Sequence, residues 1–180
     1  MKHLSFFRQK LTMALLVCAV TMGIGVGMAA HAAKADANGI VNEQEIIAAL
    51  RADGGAVYPI GVPNSGYAKY FTGRSFVAPL QKKLINVTNV TFEPACINHW
   101  HKHHGSCQVL AGVSGKGYYQ IWGEQPKELL PGQSVTIPEG VKHWHGAQHG
   151  HWFQHLSIMK EDATTEWLEP VAPAEYAKLK

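Results

Sequence analysis

Two tight histidine clusters constrain the fold of this chain more than any other feature of its sequence. Nine of its 11 histidines lie between residues 99 and 155, and six of those form the runs His99-Trp100-His101-Lys102-His103-His104 and His143-Trp144-His145. Side chains alternate between the two faces of a strand, so histidines two residues apart project from the same face. Neutral imidazole is also the commonest protein metal ligand. The pattern therefore predicts a metal site between neighbouring strands of a small β-barrel.

The first 35 residues have the composition of an export signal. Residues 1–10 contain Lys2, Arg8 and Lys10 and no acid, and residues 11–30 are almost wholly apolar or small. Ala30-His31-Ala32 and Ala33-Lys34-Ala35 both fit the small-x-small pattern of a cleavage site, which favours a secretory signal peptide over the alternative of a membrane anchor. We therefore expect residues 1–35 to be removed and the mature chain to be periplasmic or secreted.

Removal of that segment reverses the sign of the net charge. The full chain has 16 basic and 13 acidic residues and a net charge of +3. Four of the basic residues and none of the acids lie in residues 1–35, so the mature chain has a net charge of −1. This charge gives no support to a nucleic-acid partner, nor to a membrane partner after cleavage.

Hydrophobic patterning divides the mature chain into an N-terminal extension, residues 36–66, and one domain, residues 67–180. In the extension, Asn42 precedes an amphipathic stretch that predicts a helix over 43–51. From residue 75 onward the sequence predicts short strands at 75–80, 84–92, 107–113, 117–122, 134–137, 143–147 and 152–159, with a short helix near 174–179. Many short strands separated by turns are typical of an all-β sandwich or barrel.

Two cysteines bracket the first histidine cluster. In an exported protein, the pair Cys96 and Cys107 suggests a disulfide. Closing a loop of about a dozen residues would stabilise the fold by roughly 3 kcal/mol. The alternatives are two unreactive thiols or a thiolate metal ligand.

The sequences around the clusters resemble the paired motifs of the cupin superfamily. The first string contains His101, His103, Gln108 and Gly115, and the second runs from Gly132 through Pro138-Glu139-Gly140 to His143. The resemblance implies an all-β double-stranded β-helix, to which the hydrophobic patterning adds the short N- and C-terminal helices. It also implies that His101, His103, Gln108 and His143 bind one divalent metal ion.

A narrower resemblance extends over roughly residues 67–178. It is carried by Phe71-Thr72-Gly73, Val90-Thr91-Phe92-Glu93-Pro94, Pro131-Gly132 and Lys142-His143-Trp144-His145-Gly146-Ala147. These strings resemble bacterial single-domain cupins, which include manganese-dependent hydroxynitrile lyases and carboxymuconolactone-decarboxylase-like proteins. The resemblance implies that His155 is a general base, that Thr88 and Val90 line the pocket, and that the protein is a homodimer or homotetramer.

His145 shares a face with His143, so strand alternation also directs it into the barrel, where it is a second candidate catalytic residue. For His145 and His155 alike, the alternative is a structural histidine of the core.

The chemistry of the ligand set narrows the expected metal and reaction. Three imidazoles and an amide oxygen are neutral, so the metal would keep its +2 charge. This set suits Mn²⁺ or Fe²⁺, with Ni²⁺ and Zn²⁺ as alternatives. We predict a metal-dependent lyase acting on a small hydroxy or oxo compound. The alternatives are an Fe- or Ni-dependent dioxygenase and a non-catalytic periplasmic protein that binds a small molecule or metal.

Overall fold

The computed structural model of the chain describes residues 42–52 and 55–179. The predicted signal peptide, residues 1–35, and the start of the predicted extension lie outside these ranges. Within them, no helix has both the length and the apolar character needed to span a membrane.

Two antiparallel sheets face each other and confirm the all-β double-stranded β-helix. The sheets are built from β1 Val62–Pro63, β2 Ser75–Gln81, β3 Ile85–Phe92, β4 His101–His104, β5 Gln108–Gly115, β6 Gly117–Ile121, β7 Lys127–Leu129, β8 Ser134–Ile137, β9 His143–Ala147, β10 Phe153–Lys160 and β11 Thr164–Trp167. The first sheet has the strand order β1-β2-β3-β10-β5-β8, and the second has the order β11-β4-β9-β6-β7.

The seven predicted strands are all present, with ends that differ by no more than two residues. The predicted ranges omitted β1, β4, β7 and β11, each four residues long or shorter, although the histidine spacing had implied a strand at β4. Two helices flank the sheets, α1 over Glu43–Ala52 and α2 over Pro173–Tyr176, and a 3₁₀ helix covers Ser65–Tyr70.

Helix α1 begins at a side-chain cap and packs on the outside of the first sheet. Asn42 Oδ1 accepts a hydrogen bond from the backbone N–H of Gln44 at 3.0 Å, which satisfies one of the free donors of the first turn. The apolar stripe of the helix is buried through Ile46 and Leu50, which pack with Phe76 and Trp152. The predicted helix is thus confirmed, and it anchors the extension to the domain.

The apolar core between the sheets lies directly beside buried histidines. Phe92 and Phe153 are fully buried, and their rings contact the imidazole of His155 at centroid distances of 5.6 and 5.5 Å. Phe92 also meets His145 edge-on at 5.7 Å. The histidines of the interior therefore stand in a largely apolar medium.

The C-terminal segment covers the outer face of the histidine strands. Trp144 alternates with histidines along β9, and Trp100 directly precedes β4. Both point away from the interior and pack on the outer face with Val171 and Tyr176. The Tyr176 hydroxyl donates a hydrogen bond of 2.7 Å to the carbonyl oxygen of Ala147 at the end of β9. This cover stabilises the two strands that present the histidines.

The predicted disulfide between Cys96 and Cys107 is not formed, and both thiols are free. The Cys96 carbonyl accepts a hydrogen bond from Ala147 N–H at one end of β9, whereas the register of β4 pairs His101 with His143 at the other end. Strand β4 carries the chain further still before Cys107. Since an extended strand rises about 3.3 Å per residue, the two Cα atoms lie beyond the roughly 4.4–6.8 Å that a disulfide spans.

Native-state thiol labelling tests this arrangement. Cys96 is fully buried, and burial raises its pKa to about 12, whereas Cys107 is exposed. We expect iodoacetamide to modify the Cys107 peptide in the folded protein and the Cys96 peptide only after unfolding. A disulfide-linked Cys96–Cys107 peptide in non-reducing mass spectrometry would contradict the structure.

Candidate metal centre

The register of three strands brings the four predicted ligands together. His101 on β4 stands opposite His143 on β9, and their ring centroids are 4.1 Å apart. The His103 ring lies 5.0 Å from that of His101 and 5.3 Å from that of His143. Gln108 reaches the group from the first sheet, with its Oε1 2.9 Å from His143 Nε2. All four side chains are buried, so the group is an interior cluster and not a surface patch.

Hydrogen bonds at the Nδ1 atoms orient the three imidazoles. His101 Nδ1 lies 3.0 Å from the His99 carbonyl oxygen, and His143 Nδ1 lies 2.9 Å from the Val141 carbonyl oxygen. Because a carbonyl only accepts, these Nδ1 atoms carry the protons. His103 Nδ1 lies 3.1 Å from the hydroxyl of Thr165. This arrangement leaves the Nε2 lone pairs of His101 and His143 free for a metal, as is typical of metal-ligating histidines.

Two buried atoms of the cluster lack a partner that the protein could supply. His103 Nε2 is buried and has no hydrogen-bond partner. Gln108 Oε1 faces the Nε2 lone pair of His143 at 2.9 Å, which places two acceptors in contact with no proton between them. A divalent cation would satisfy these atoms at once, so the donor set fits the metal that the resemblance implies.

His145 also lies within reach of this cluster. One ring nitrogen each from His101, His143 and His145 lie within 4.8 Å of one another, which forms a three-histidine group that could hold a metal ion. His145 is already engaged, however, because its Nδ1 lies 3.1 Å from His155 Nε2 and its ring contacts the amide nitrogen of Asn98. The structure thus brings both predicted catalytic histidines to the centre, in direct contact with each other.

A cavity of about 560 Å³ opens onto the cluster. Its walls include His101, His103, Gln108 and His145, and also the predicted pocket residues Thr88 and Val90. His155 is not part of the cavity wall and lies fully buried behind His145. The catalytic roles predicted for His145 and His155 stay predictions, and the structure adds that His155 would act from behind His145.

Burial keeps the interior histidines neutral. Loss of solvent lowers the pKa of His101 and of His145 well below 6.5, and their neighbouring imidazoles lower each further. Burial likewise lowers the pKa of His143 and of His155 to about 4. Neutral imidazoles can bind a metal or accept a proton, and charged ones can do neither.

Comparison with known proteins places this site in a family. A family model described as a cupin domain matches residues 88–152. The chain is 34% identical over 119 residues to an (R)-mandelonitrile lyase of Granulicella tundricola. The match covers 63% of this chain and 90% of the lyase. The chain belongs to the cupin family. A solved cupin-like protein of Thermotoga maritima agrees, with 34% identity, a TM-score of 0.63, and coverage of 69% of this cupin and 96% of that chain.

Three polar residues of this cupin site were missed by the sequence reasoning. Thr165 contacts His103, Ser157 contacts Gln108, and Asn98 accepts a hydrogen bond from the backbone N–H of His145. Each lies on a segment that meets its histidine or glutamine across strand pairings, and no local motif marks it. Only Ser157 had a signal in the sequence: it lies two residues beyond His155 on β10, so both side chains project from the same face of the strand.

The lowered pKa values predict a strong pH dependence of the stability of the metal-free cupin. Between pH 6.5 and about 4 the unfolded chain binds protons on His143 and His155 that the folded chain does not, so stability falls as pH falls. Each shift corresponds to about 3 kcal/mol, a large share of the roughly 5–15 kcal/mol of a typical domain. We expect the urea midpoint to drop steadily over this range.

A matched pair of variants tests whether buried histidines cause this pH dependence of stability. His155→Phe removes one buried imidazole and should flatten the dependence of the urea midpoint on pH. His149→Ala removes an exposed imidazole and should leave the slope unchanged. A wild-type midpoint that is constant from pH 7 to 4.5 would contradict the burial of neutral histidines.

Proposed function

We propose that this cupin is a metal-dependent lyase of the hydroxynitrile lyase type, which cleaves or forms a C–C bond next to a carbonyl group. The (R)-mandelonitrile lyase relative supports the reaction class. The cluster of His101, His103, Gln108 and His143 supports the metal, for which Mn²⁺ is our first choice and Fe²⁺, Ni²⁺ and Zn²⁺ are alternatives.

The lining of the cavity is the observation that carries this proposal. Among the residues that the structure describes, its walls contain no Asp, Glu, Lys or Arg side chain. Phe71, Val77, Val90 and Trp167 supply apolar surface, and Trp167 stands 5.0 Å from the His101 ring. A carboxylate substrate would find no basic side chain there, whereas a neutral hydroxynitrile with an apolar or aromatic group is compatible with these walls. The lining thus favours the hydroxynitrile reaction over the decarboxylase-like variant.

The four ligands determine what a bound metal would contribute. When present, a divalent cation held by neutral donors keeps its +2 charge and acts as a Lewis acid that favours ionisation of a substrate hydroxyl. Gln108 matters here because a glutamate at the same position would cancel part of that charge. The amide therefore suits activation of an uncharged hydroxy compound.

His145 is placed to move the proton. It lines the cavity beside the ligands and is neutral, so it can accept the hydroxyl proton as the carbon–cyanide bond breaks and the carbonyl forms. The same proton then passes to the departing cyanide, which leaves as hydrogen cyanide, and the reverse order of steps gives synthesis. His155 Nε2, 3.1 Å from His145 Nδ1, would orient this imidazole for the transfer.

Release of benzaldehyde from mandelonitrile tests the proposal. The tag-free chain from residue 36, freed of metal and reloaded with Mn²⁺, is expected to release benzaldehyde at a rate that depends on the metal. Oxygen uptake with a phenolic or enolic substrate would instead support the dioxygenase alternative. One tightly bound metal per chain with no turnover of either kind would support a binding protein.

We also propose that the chain is exported and self-associates. Export is supported by the composition of residues 1–35. Self-association is supported by the exposed apolar residues Leu84 and Ile85 beside the β2–β3 turn and by β2, which is paired on its outer side only at Phe76 and Val77. N-terminal sequencing of secreted protein and light scattering would test the two proposals. An uncleaved N-terminus or a monomeric mass would overturn them.

A further inference from the structure

Three aromatic side chains, Tyr67, Phe71 and Trp167, form an aromatic corner in the wall of the cavity that opens onto the histidines. The ring centroids of Tyr67 and Phe71 each lie 5.9 Å from that of Trp167, at interplanar angles of 44° and 60°. The Trp167 ring lies 5.0 Å from the ring of His101. Because the three rings are tilted to one another, they form a corner and not a flat stack, directly beside a predicted metal ligand.

Trp167 and Phe71 are the fixed walls of the aromatic corner. The ring of Tyr70 stacks on Trp167 at a centroid distance of 4.6 Å and an interplanar angle of 8°. Phe71 contacts the fully buried ring of Phe92 at 5.7 Å. The pairing of β11 with β4 places Trp167 opposite His101. Both walls are therefore held in place before a ligand binds, which lowers the ordering cost of binding.

Tyr67 differs from both walls because its side chain is 53% exposed. It lies in the 3₁₀ helix Ser65–Tyr70, no residue of which is buried. A second cavity, of about 150 Å³, lies beside the same helix and is lined by Ser65 and Ala68, so the helix is lightly packed there as well. The Tyr67 ring thus still has apolar area in water, and a flat apolar group placed against it in the cavity would gain free energy by covering that area.

We propose that Tyr67 is a specificity residue, which makes the site prefer hydroxynitriles that carry an aryl group on the carbinol carbon. The inference rests on the proposed function and names the part of the substrate that the aromatic corner binds. In such a substrate the ring is one bond from the carbon that bears the hydroxyl, so a hydroxyl at the ligand cluster brings the ring to Trp167, beside His101. Aromatic rings attract one another in tilted and offset arrangements at centroid distances of about 4.5–7 Å. A methyl group in the same place would leave the Tyr67 ring uncovered.

Cleavage of an aryl and of an alkyl hydroxynitrile tests this preference. For Tyr67→Ala, kcat/KM for mandelonitrile is expected to fall about tenfold, while kcat/KM for acetone cyanohydrin stays within about twofold of the wild type. Tyr67→Phe keeps the ring, and Val62→Ala removes an exposed side chain that does not line the cavity, so both should leave the ratio of the two values within about twofold. An unchanged ratio in Tyr67→Ala, or the same fall in Tyr67→Phe, would overturn the proposal.

Binding of benzyl alcohol to the metal-free protein, followed by NMR, gives a readout that needs no turnover. We expect nuclear Overhauser effects from the phenyl protons to the rings of Tyr67 and Trp167, and an affinity about tenfold weaker in Tyr67→Ala. Because no residue of the 3₁₀ helix is buried, this variant should keep the thermal midpoint of the wild type, which is the control for folding. Overhauser effects that miss Tyr67, or equal affinities of the variant and the wild type, would overturn the proposal.

The two experiments separate the role of Tyr67 from the proposed function. A metal-loaded chain that turns over no hydroxynitrile would overturn the lyase, and the benzyl alcohol titration would still decide whether the aromatic corner binds an aryl ring. An active chain whose preference does not depend on Tyr67 would overturn the specificity role and leave the lyase standing.

Discussion

A chain in which His101 and His143 are both replaced by alanine is expected to lose its divalent metal. The two imidazoles lie on the paired strands β4 and β9, with ring centroids 4.1 Å apart and Nε2 lone pairs oriented for a metal. The double variant therefore removes two of the four predicted ligands. Loss of a single supporting hydrogen bond commonly costs about tenfold to a hundredfold in affinity. Loss of two ligands should cost on the order of 1,000-fold or more, measured by metal analysis and chelator competition.

The matched control removes two histidines from outside the cluster. His104 and His149 are exposed, and the double variant His104→Ala/His149→Ala keeps the interior cluster intact. This variant should retain one metal per chain at wild-type affinity. If both double variants lose metal to the same degree, the ions are held by scattered surface histidines and the protein is a metal buffer.

Replacement of His145 by alanine is expected to abolish most turnover while the metal stays bound. A positioned acid–base residue contributes about a hundredfold to ten-thousandfold, so a fall of that size in kcat is predicted for mandelonitrile cleavage. His145 lines the cavity and its ring is held by His155 and Asn98, which is the placement of a proton carrier. Metal content and turnover measured on one sample separate the two functions.

The variant His155→Ala shows which of the two histidines, His145 or His155, contributes more to turnover. His155 reaches the cavity through His145, so its removal should lower kcat less, by about tenfold to a hundredfold, and shift the pH profile of the reaction. A loss of metal in His145→Ala would show that the group His101, His143 and His145 holds the ion, with His145 as a ligand. Full activity of that variant would remove His145 from the mechanism.

The fold and the clustering of the candidate histidines could largely be predicted from the sequence because both depend on the two-residue repeat of a β-strand. Alternation locates the strands, and histidines two residues apart on a strand must share a face. The burial of His101, His103 and His143 follows from that parity, as does the outward packing of Trp100 and Trp144. The resemblance to the cupin motifs predicted Gln108 as the fourth ligand, and the structure places its Oε1 2.9 Å from His143 Nε2.

The state of the cysteines, the depth of His155 and the polar contacts of the site could not be predicted, because they depend on distances across the sheets. Local sequence patterns do not carry those distances. Cys96 and Cys107 are separated by few residues, yet the extended β4 between them carries the sulfurs apart. Strand alternation directs His155 inward, but it does not say how far from the cavity the side chain lies. In the structure His145 stands between His155 and the cavity. The contacts of Thr165 and Ser157 arise from the register of β11 and β10 with their neighbours.

Anomalous diffraction from crystals of the tag-free mature chain grown with Mn²⁺ would locate the metal. We expect a single strong peak per chain, bonded to His101, His103, Gln108 and His143 and to neither nitrogen of His145. The absence of a peak at this cluster, or a peak bonded to His145 and not to Gln108, would contradict this ligand set.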